Sequence, residues 1–362
     1  MEMEHMPAAM LLMVPGIGSL KQRKLTDYFG DAETAWNATG EELNNSHILN
    51  GREIEAILSL RDRLDPSELA KQWTRQGIHI CGFNDPEYPQ LLRNIYDPPA
   101  VLFYRGRMIG DSLNLAVVGS RRSTPYGRNV ARSFSEKIAR SGVTIVSGAA
   151  KGIDAAAHEG ALAAGAATIA VLGCGVDIVY PPENRCLLDR IASTGCLISE
   201  YPPGTPPIPG QFPARNRIVA GMSVGVLVVE AAEKSGALIT ADLALNENRE
   251  VYAIPGSVFS NASRGVHRLI QQGARLINTA EELLEDLGLT FASSPKEANG
   301  QLSSDEKKVL RELSYTEPTP VDELVMRLKM DASHIAVVLL QLEMAGYVVN
   351  FSGAGYGRVA KE

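Results

Sequence analysis

The 362-residue chain has four cysteines, Cys81, Cys174, Cys186 and Cys196, far apart and without a Cys-x-x-Cys pair. That spacing argues against a disulfide framework or a zinc site and fits reduced thiols in a cytoplasmic protein. The longest apolar run, Ala161 to Val176, is 16 residues and rich in Ala and Gly, short of the ~20 needed to span a bilayer. The opening Met-Glu-Met-Glu-His lacks the basic charge that starts a signal peptide, so no membrane partner is expected. A G-x-x-x-x-G-K-[ST] loop is absent. The nearest approach to G-x-G-x-x-G, Gly173-Cys174-Gly175, lacks its third glycine and runs into prolines. Nucleotide hydrolysis through such a loop and dinucleotide chemistry have no sequence basis, and no cofactor is expected.

Positive charge is scarce overall, at a formal net −7, but it is concentrated. Residues 1–70 hold six Lys/Arg against twelve Asp/Glu, whereas residues 101–160 hold nine against four. A polyanion is drawn to the second region and repelled by the first.

The length suits two or three domains. Residues 1–70 pattern as helices, with Pro15-Gly16-Ile17-Gly18 as a turn between two apolar-periodic stretches. This is either a plain connection or a helix-hairpin-helix whose amides face a phosphate. From Leu113 onward short apolar runs alternate with helical segments. Strands are expected at 113–118, 143–147, 168–172, 196–200, 224–230 and 251–254, and helices at 125–140, from the Gly152 loop to about 165, and at 184–193. Residues 71–289 therefore form a doubly wound α/β core. Residues 290–304 are polar with Pro and Gly, a linker. Residues 305–362 carry three amphipathic stretches and a hairpin pattern, which predicts a winged helix. The helix that would enter a DNA groove, 332–345, has no Lys or Arg, so the module reads as a protein-contact or stabilising domain rather than a sequence reader.

Three strand-end segments carry the cations. Gly119-Ser120-Arg121-Arg122 leaves a buried strand and precedes Thr124-Pro125, an N-cap and first-turn proline, where free N–H groups and the helix dipole favour an anion. Gly148 to Gly152, with Lys151 between, repeats the arrangement one unit later, so Arg121 and Lys151 are expected to line a common groove. In Phe212-Pro213-Ala214-Arg215-Asn216-Arg217 the two arginines do not share a helical face; one is expected to reach a ligand and the other to brace the loop. Asn216 could contact a base edge or cap the helix, and the cap is the favoured reading. Ser235 and Thr240 offer hydroxyls after another strand. The candidate phosphate-contacting set is Gly119, Ser120, Arg121, Arg122, Gly148, Lys151, Gly152, Arg215, Asn216, Arg217, Ser235 and Thr240. His158 and His267 lack metal partners at helical spacing, and Glu200 and Glu230 read as structural or loop-ordering rather than catalytic.

Six segments in order, 119–127, 147–154, 179–184, 211–223, 235–241 and 254–256, resemble the DNA-processing protein A family (DprA, also called Smf). The resemblance implies a sterile-alpha-motif-like helical N-terminal domain, a Rossmann-like core and a C-terminal winged helix. It also implies single-stranded DNA binding without catalysis, protection of incoming strands during natural transformation, loading of the RecA recombinase, and homodimers formed through the core. The family's DNA-contacting cations fall on Arg121 and Lys151, with Arg215 and Arg217 on the same pocket. Two other readings stand beside it. One is a nucleotide enzyme resembling the phosphoribohydrolases, whose Pro-Gly-Gly-x-Gly-Thr-x-x-Glu loop is missing from this chain. The other is a scaffold whose DNA binding is incidental.

Overall fold

The computed structural model describes residues 3–110, 112–289, 302–314, 318–351 and 355–358. Nine strands make one sheet: β1 (Ile78–Gly82), β2 (Val101–Gly106), β3 (Asn114–Val118), β4 (Thr144–Ser147), β5 (Thr168–Val171), β6 (Cys196–Ser199), β7 (Gly225–Val228), β8 (Glu250–Ala253) and β9 (Arg275–Leu276). Their order is β1-β2-β6-β5-β4-β3-β7-β8-β9. From β6 to β9 every pairing is parallel; β2 and β1 add an antiparallel edge. Alternate residues feed opposite cores. Ala116, Val118, Val146 and Val228 enter one and Leu115, Val117, Ile145 and Leu227 the other, as expected of parallel strands covered on both faces. The chain moves outward from β3 through β6 and returns to β7 on β3's other side, so the strand order reverses between β3 and β7.

The helix Pro125–Arg140 starts where its chemistry predicts. Thr124 Oγ1 accepts the Gly127 N–H, and Pro125 occupies the first turn. The helix Ile153–Ala163 follows β4, and Gln211–Gly221 follows β6.

Six helices precede the sheet, from Met6–Leu12 to Pro66–Arg75. They bury Leu11, Leu25, Trp36, Leu43 and Ile57 in one cluster with Val101 and Phe103 of β2. At the Pro15–Gly18 turn, Gly16 has φ +92° and the Glu53 carboxylate lies where a side chain would stand. Lys21 Nζ meets that carboxylate at 2.5 Å. The cation beside this hairpin is thus already paired with a buried carboxylate. The Ser19 hydroxyl donates to Glu200 Oε2 at 2.8 Å. Arg217 clamps the same carboxylate through two bonds of 3.0 and 2.6 Å, and its Nε reaches Asp97 Oδ2 at 3.4 Å. One buried acid thus ties the N-terminal helices to the core.

At the other end, helices Ser304–Glu312, Val321–Leu328 and Ala332–Met344 precede the antiparallel hairpin β10 (Val348–Phe351) and β11 (Gly355–Arg358). They enclose a small core of Val309, Leu324, Ile335, Leu339 and Leu342. Most of the expected linker, residues 290–301, and the hairpin turn 352–354 lie outside the described residues. Among the described residues no helix is long and apolar enough to cross a membrane.

Removing one partner of a buried ion pair strands the other charge, which costs about 3–5 kcal/mol, whereas replacing both with apolar groups is often nearly neutral. Glu200→Ala is expected to lower the urea midpoint strongly, and Glu200→Leu combined with Arg217→Met far less. Equal midpoints for Glu200→Ala and the parent would show that the clamp does not support the fold.

Candidate nucleic-acid interface

A reversal of strand order usually opens a crevice for a ligand. Here Glu230, following β7, fills it. Its carboxylate accepts the Thr124 N–H at 2.8 Å and the Thr124 hydroxyl, its carbonyl accepts the Ser120 N–H at 2.8 Å, and it packs against Gly127. The anion expected at this helix N-terminus is an internal carboxylate.

The open pocket lies on the β4–β5 side. It is a small cavity of about 130 Å³ whose lining includes Arg121, Gly148, Lys151, Tyr180, Phe212 and Arg215. The Arg121 and Lys151 segments thus converge as the groove expectation requires, and the Phe212–Arg215 segment joins them. Two glycines make this possible. Gly152 has φ +84°, and a side chain there would strike the Ser120 carbonyl. Gly148 lies flat against the Arg215 guanidinium and leaves no room for a Cβ.

The arginines have different roles. Arg121 is exposed, and its guanidinium sits 5.1 Å from the Phe212 ring centroid. Tyr180 lies 5.3 Å from the same ring, tilted by 33°. Arg215 is only 4% exposed. It donates to the Gly148 carbonyl at 2.7 Å and to the Val171 carbonyl, cross-linking the ends of β4 and β5. Asp154, also buried, accepts the Ala150 N–H at 3.3 Å. Burial is the leading influence on both groups, raising the Asp154 carboxyl and lowering the Arg215 guanidinium, while each favours the other's charged form.

Lys151 is exposed, with Nζ 2.5 Å from Glu183 Oε1. That hydrogen bond holds the Glu183 carboxyl below its ordinary range. Asn184 braces the loop through a 2.9 Å bond to the Ala149 carbonyl.

The remaining candidates lie around or apart from this pocket. Gly119 packs on Ile153. Ser120 Oγ accepts the Arg122 N–H at 3.1 Å, and the Arg122 side chain is exposed outside the lining. Arg217 is committed to Glu200 and Asp97. Asn216 is not a cap: the helix starts at Gln211, and from its second turn Asn216 bonds Arg215 Nε and the Gly236 carbonyl. Ser235 caps the helix Gly236–Asn246, and Thr240 is buried within it. Sequence reasoning missed the aromatic shelf of Tyr180 and Phe212. The available signal was an aromatic residue beside proline at Tyr180-Pro181 and again at Phe212-Pro213.

His158 is fully buried between the Ile153–Ala163 helix and the start of β5, with Nδ1 2.8 Å from Thr168 Oγ1, and burial pushes its pKa down to about 3. The folded protein keeps it neutral while the unfolded chain protonates it near pH 6.5. This contribution to stability is present above pH 6.5 and is lost as pH falls towards 3, at up to about 1.4 kcal/mol per unit. Unfolding free energies measured between pH 6.5 and 4.5 should fall more steeply for the parent than for His158→Leu. Equal slopes would refute the assignment.

A family model described as DNA recombination-mediator protein A matches residues 79–288, and one for the DprA winged helix domain matches residues 292–354. Protein Smf of Synechocystis sp. is 36% identical over 95% of this chain and 96% of its own length. DNA processing protein DprA of Bacillus subtilis is 45% identical over 59% of this chain and 73% of its own. The X-ray structure of DNA processing protein A from Streptococcus pneumoniae superposes with a TM-score of 0.67 at 36% identity, covering 76% of this chain and 95% of that one. The protein from Helicobacter pylori, described for its single-stranded DNA binding mode, gives 0.53 at 32% identity over 57% and 95%. With matches spanning the sheet, the strand-end loops and the C-terminal module, this chain belongs to the DNA recombination-mediator protein A (DprA/Smf) family.

Proposed function

We propose that this protein binds single-stranded DNA at the β4–β5 pocket, protects incoming strands during natural transformation and helps load the RecA recombinase, without catalysing a reaction. The observation that carries the reading is the juxtaposition of Arg121, Phe212 and Tyr180 beside Lys151. A partly exposed ring offers a surface for a base, and adjacent cations offer partners for its phosphates. This is the sequence-tolerant chemistry of single-strand binders. The Helicobacter pylori relative's single-stranded DNA binding mode supports the reading. Family membership favours it over a nucleotide enzyme, and Glu230, the acid nearest the strand-order reversal, is spent on capping. We place the protein in the cytoplasm as a homodimer formed through the Rossmann-like core. Val258 and Phe259, which follow β8 and are 72% and 95% exposed, supply apolar surface for such an association.

A mobility-shift comparison of single-stranded oligonucleotide, duplex and mononucleotide tests the reading. Arg121→Ala and Lys151→Ala should each weaken single-strand binding about tenfold or more, since a charge-assisted contact contributes roughly 1.5–3 kcal/mol. Phe212→Ala should cost about 1–3 kcal/mol of stacking. Glu183→Gln carries the opposite sign. It frees Lys151 from a surface pair worth up to about 1 kcal/mol and should tighten binding by a few fold. Equal affinity for duplex and single strand at ~150 mM salt, or parental binding by both cation variants, overturns the proposal.

A further inference from the structure

A second cleft lies on the far side of the same loops. Its volume is about 510 Å³, within the range of built ligand sites. Its lining joins the core, through Arg128, Arg132, Gly152 and Glu159, to the C-terminal hairpin, through Asn350 and Phe351. Gly152 follows Lys151 in the chain, so the cleft and the β4–β5 pocket border on the same loop.

Arg128 and Arg132 are one helical turn apart on the Pro125–Arg140 helix and project on the same side. Arg128 is positioned in advance, with Nη1 donating to the Ser123 carbonyl at 2.8 Å and its guanidinium 5.6 Å from the Phe351 ring centroid. The same ring packs on Gly357 of β11, where a Cβ would collide with it, so Phe351 is a fixed support for Arg128 rather than a free stacking surface. Arg132 is exposed. Among the described residues neither arginine has a carboxylate within 4 Å, and Glu159 is the one acid in the lining.

We propose that this cleft is a second subsite for the phosphate backbone of the same single strand, carried past Lys151 onto Arg128 and Arg132. The C-terminal module then contributes through its hairpin and not through the helix Ala332–Met344. Charge complementarity and the loop shared with the first pocket favour a polyanionic strand continuing from one site to the other. The inference rests on the single-strand reading of the first pocket.

Oligothymidylates of about six and about twenty nucleotides, bracketing the site sizes of single-strand binders, separate the two subsites in the full-length protein. The Arg128→Gln/Arg132→Gln variant should bind the short oligomer as the parent does and the long one about tenfold more weakly. Its salt slope on the long oligomer should be shallower by about 1.4, the equivalent of two phosphate contacts. Glu159→Gln should tighten the long oligomer only, an effect that misfolding cannot produce. Parental affinity and slope for the double variant on the long oligomer, with Arg121→Ala weakening both lengths, overturns the second subsite alone. Parental binding of both lengths by Arg121→Ala overturns the first pocket instead. Loss of binding to an acidic peptide of about ten residues in the double variant, with the long oligomer unaffected, would assign the cleft to a protein partner and also overturn the proposal.

Discussion

The pocket depends on a buried cation. Arg215 is driven into the ends of β4 and β5, where it hydrogen-bonds the Gly148 and Val171 carbonyls. A guanidinium is tolerated at that depth because its Nε and Nη1 donors are met and a buried acid, Asp154, offsets its charge. The consequences spread outward. Position 148 must be glycine, because the guanidinium occupies the space of a side chain. The 148–152 loop is then held firmly enough to present Lys151, while Phe212, three residues before Arg215, is set against Arg121 and Tyr180. The pocket is ordered by a charge that solvent barely touches.

A second constraint decides where the surface lies. Glu230 occupies the crevice between β3 and β7 and supplies the anion that the Pro125 helix N-terminus attracts. A small ligand is thereby denied the usual place, and the open pocket lies two strands along. A shallow site bordered by loops from several strands can continue as a track along the surface, which suits a polymer better than an enclosed metabolite.

Much of the architecture was legible in the chain. The βα alternation from Leu113 onward, the Thr124-Pro125 helix start and the three helices and hairpin of the C-terminal module all follow from local pattern and capping chemistry. β1 and β2 were not legible. They join the sheet antiparallel at its edge, and no flanking alternation marks them. Within the site, the convergence of Arg121 and Lys151 could be argued from strand-end positions alone, whereas Arg215 was placed beside them only through the family resemblance. The division of labour among the arginines could not. Exposed and buried arginines look alike in a sequence, and the carboxylates that engage Arg217 are Asp97 and Glu200, the first 120 residues away.

The pairing of Lys151 with Glu183 alters how the thermodynamics of binding would be read. The fall of affinity with salt comes mainly from cations condensed on the strand, which are released as Lys or Arg neutralises its phosphates. Lys151 already has a tethered anion. A phosphate that took its place would still shed its condensed cation, while Glu183 would be left unpaired on the protein. A contact tally inferred from the salt dependence of affinity would therefore count Lys151 in full, whereas the affinity lost on substituting it would report the contact less the broken pair.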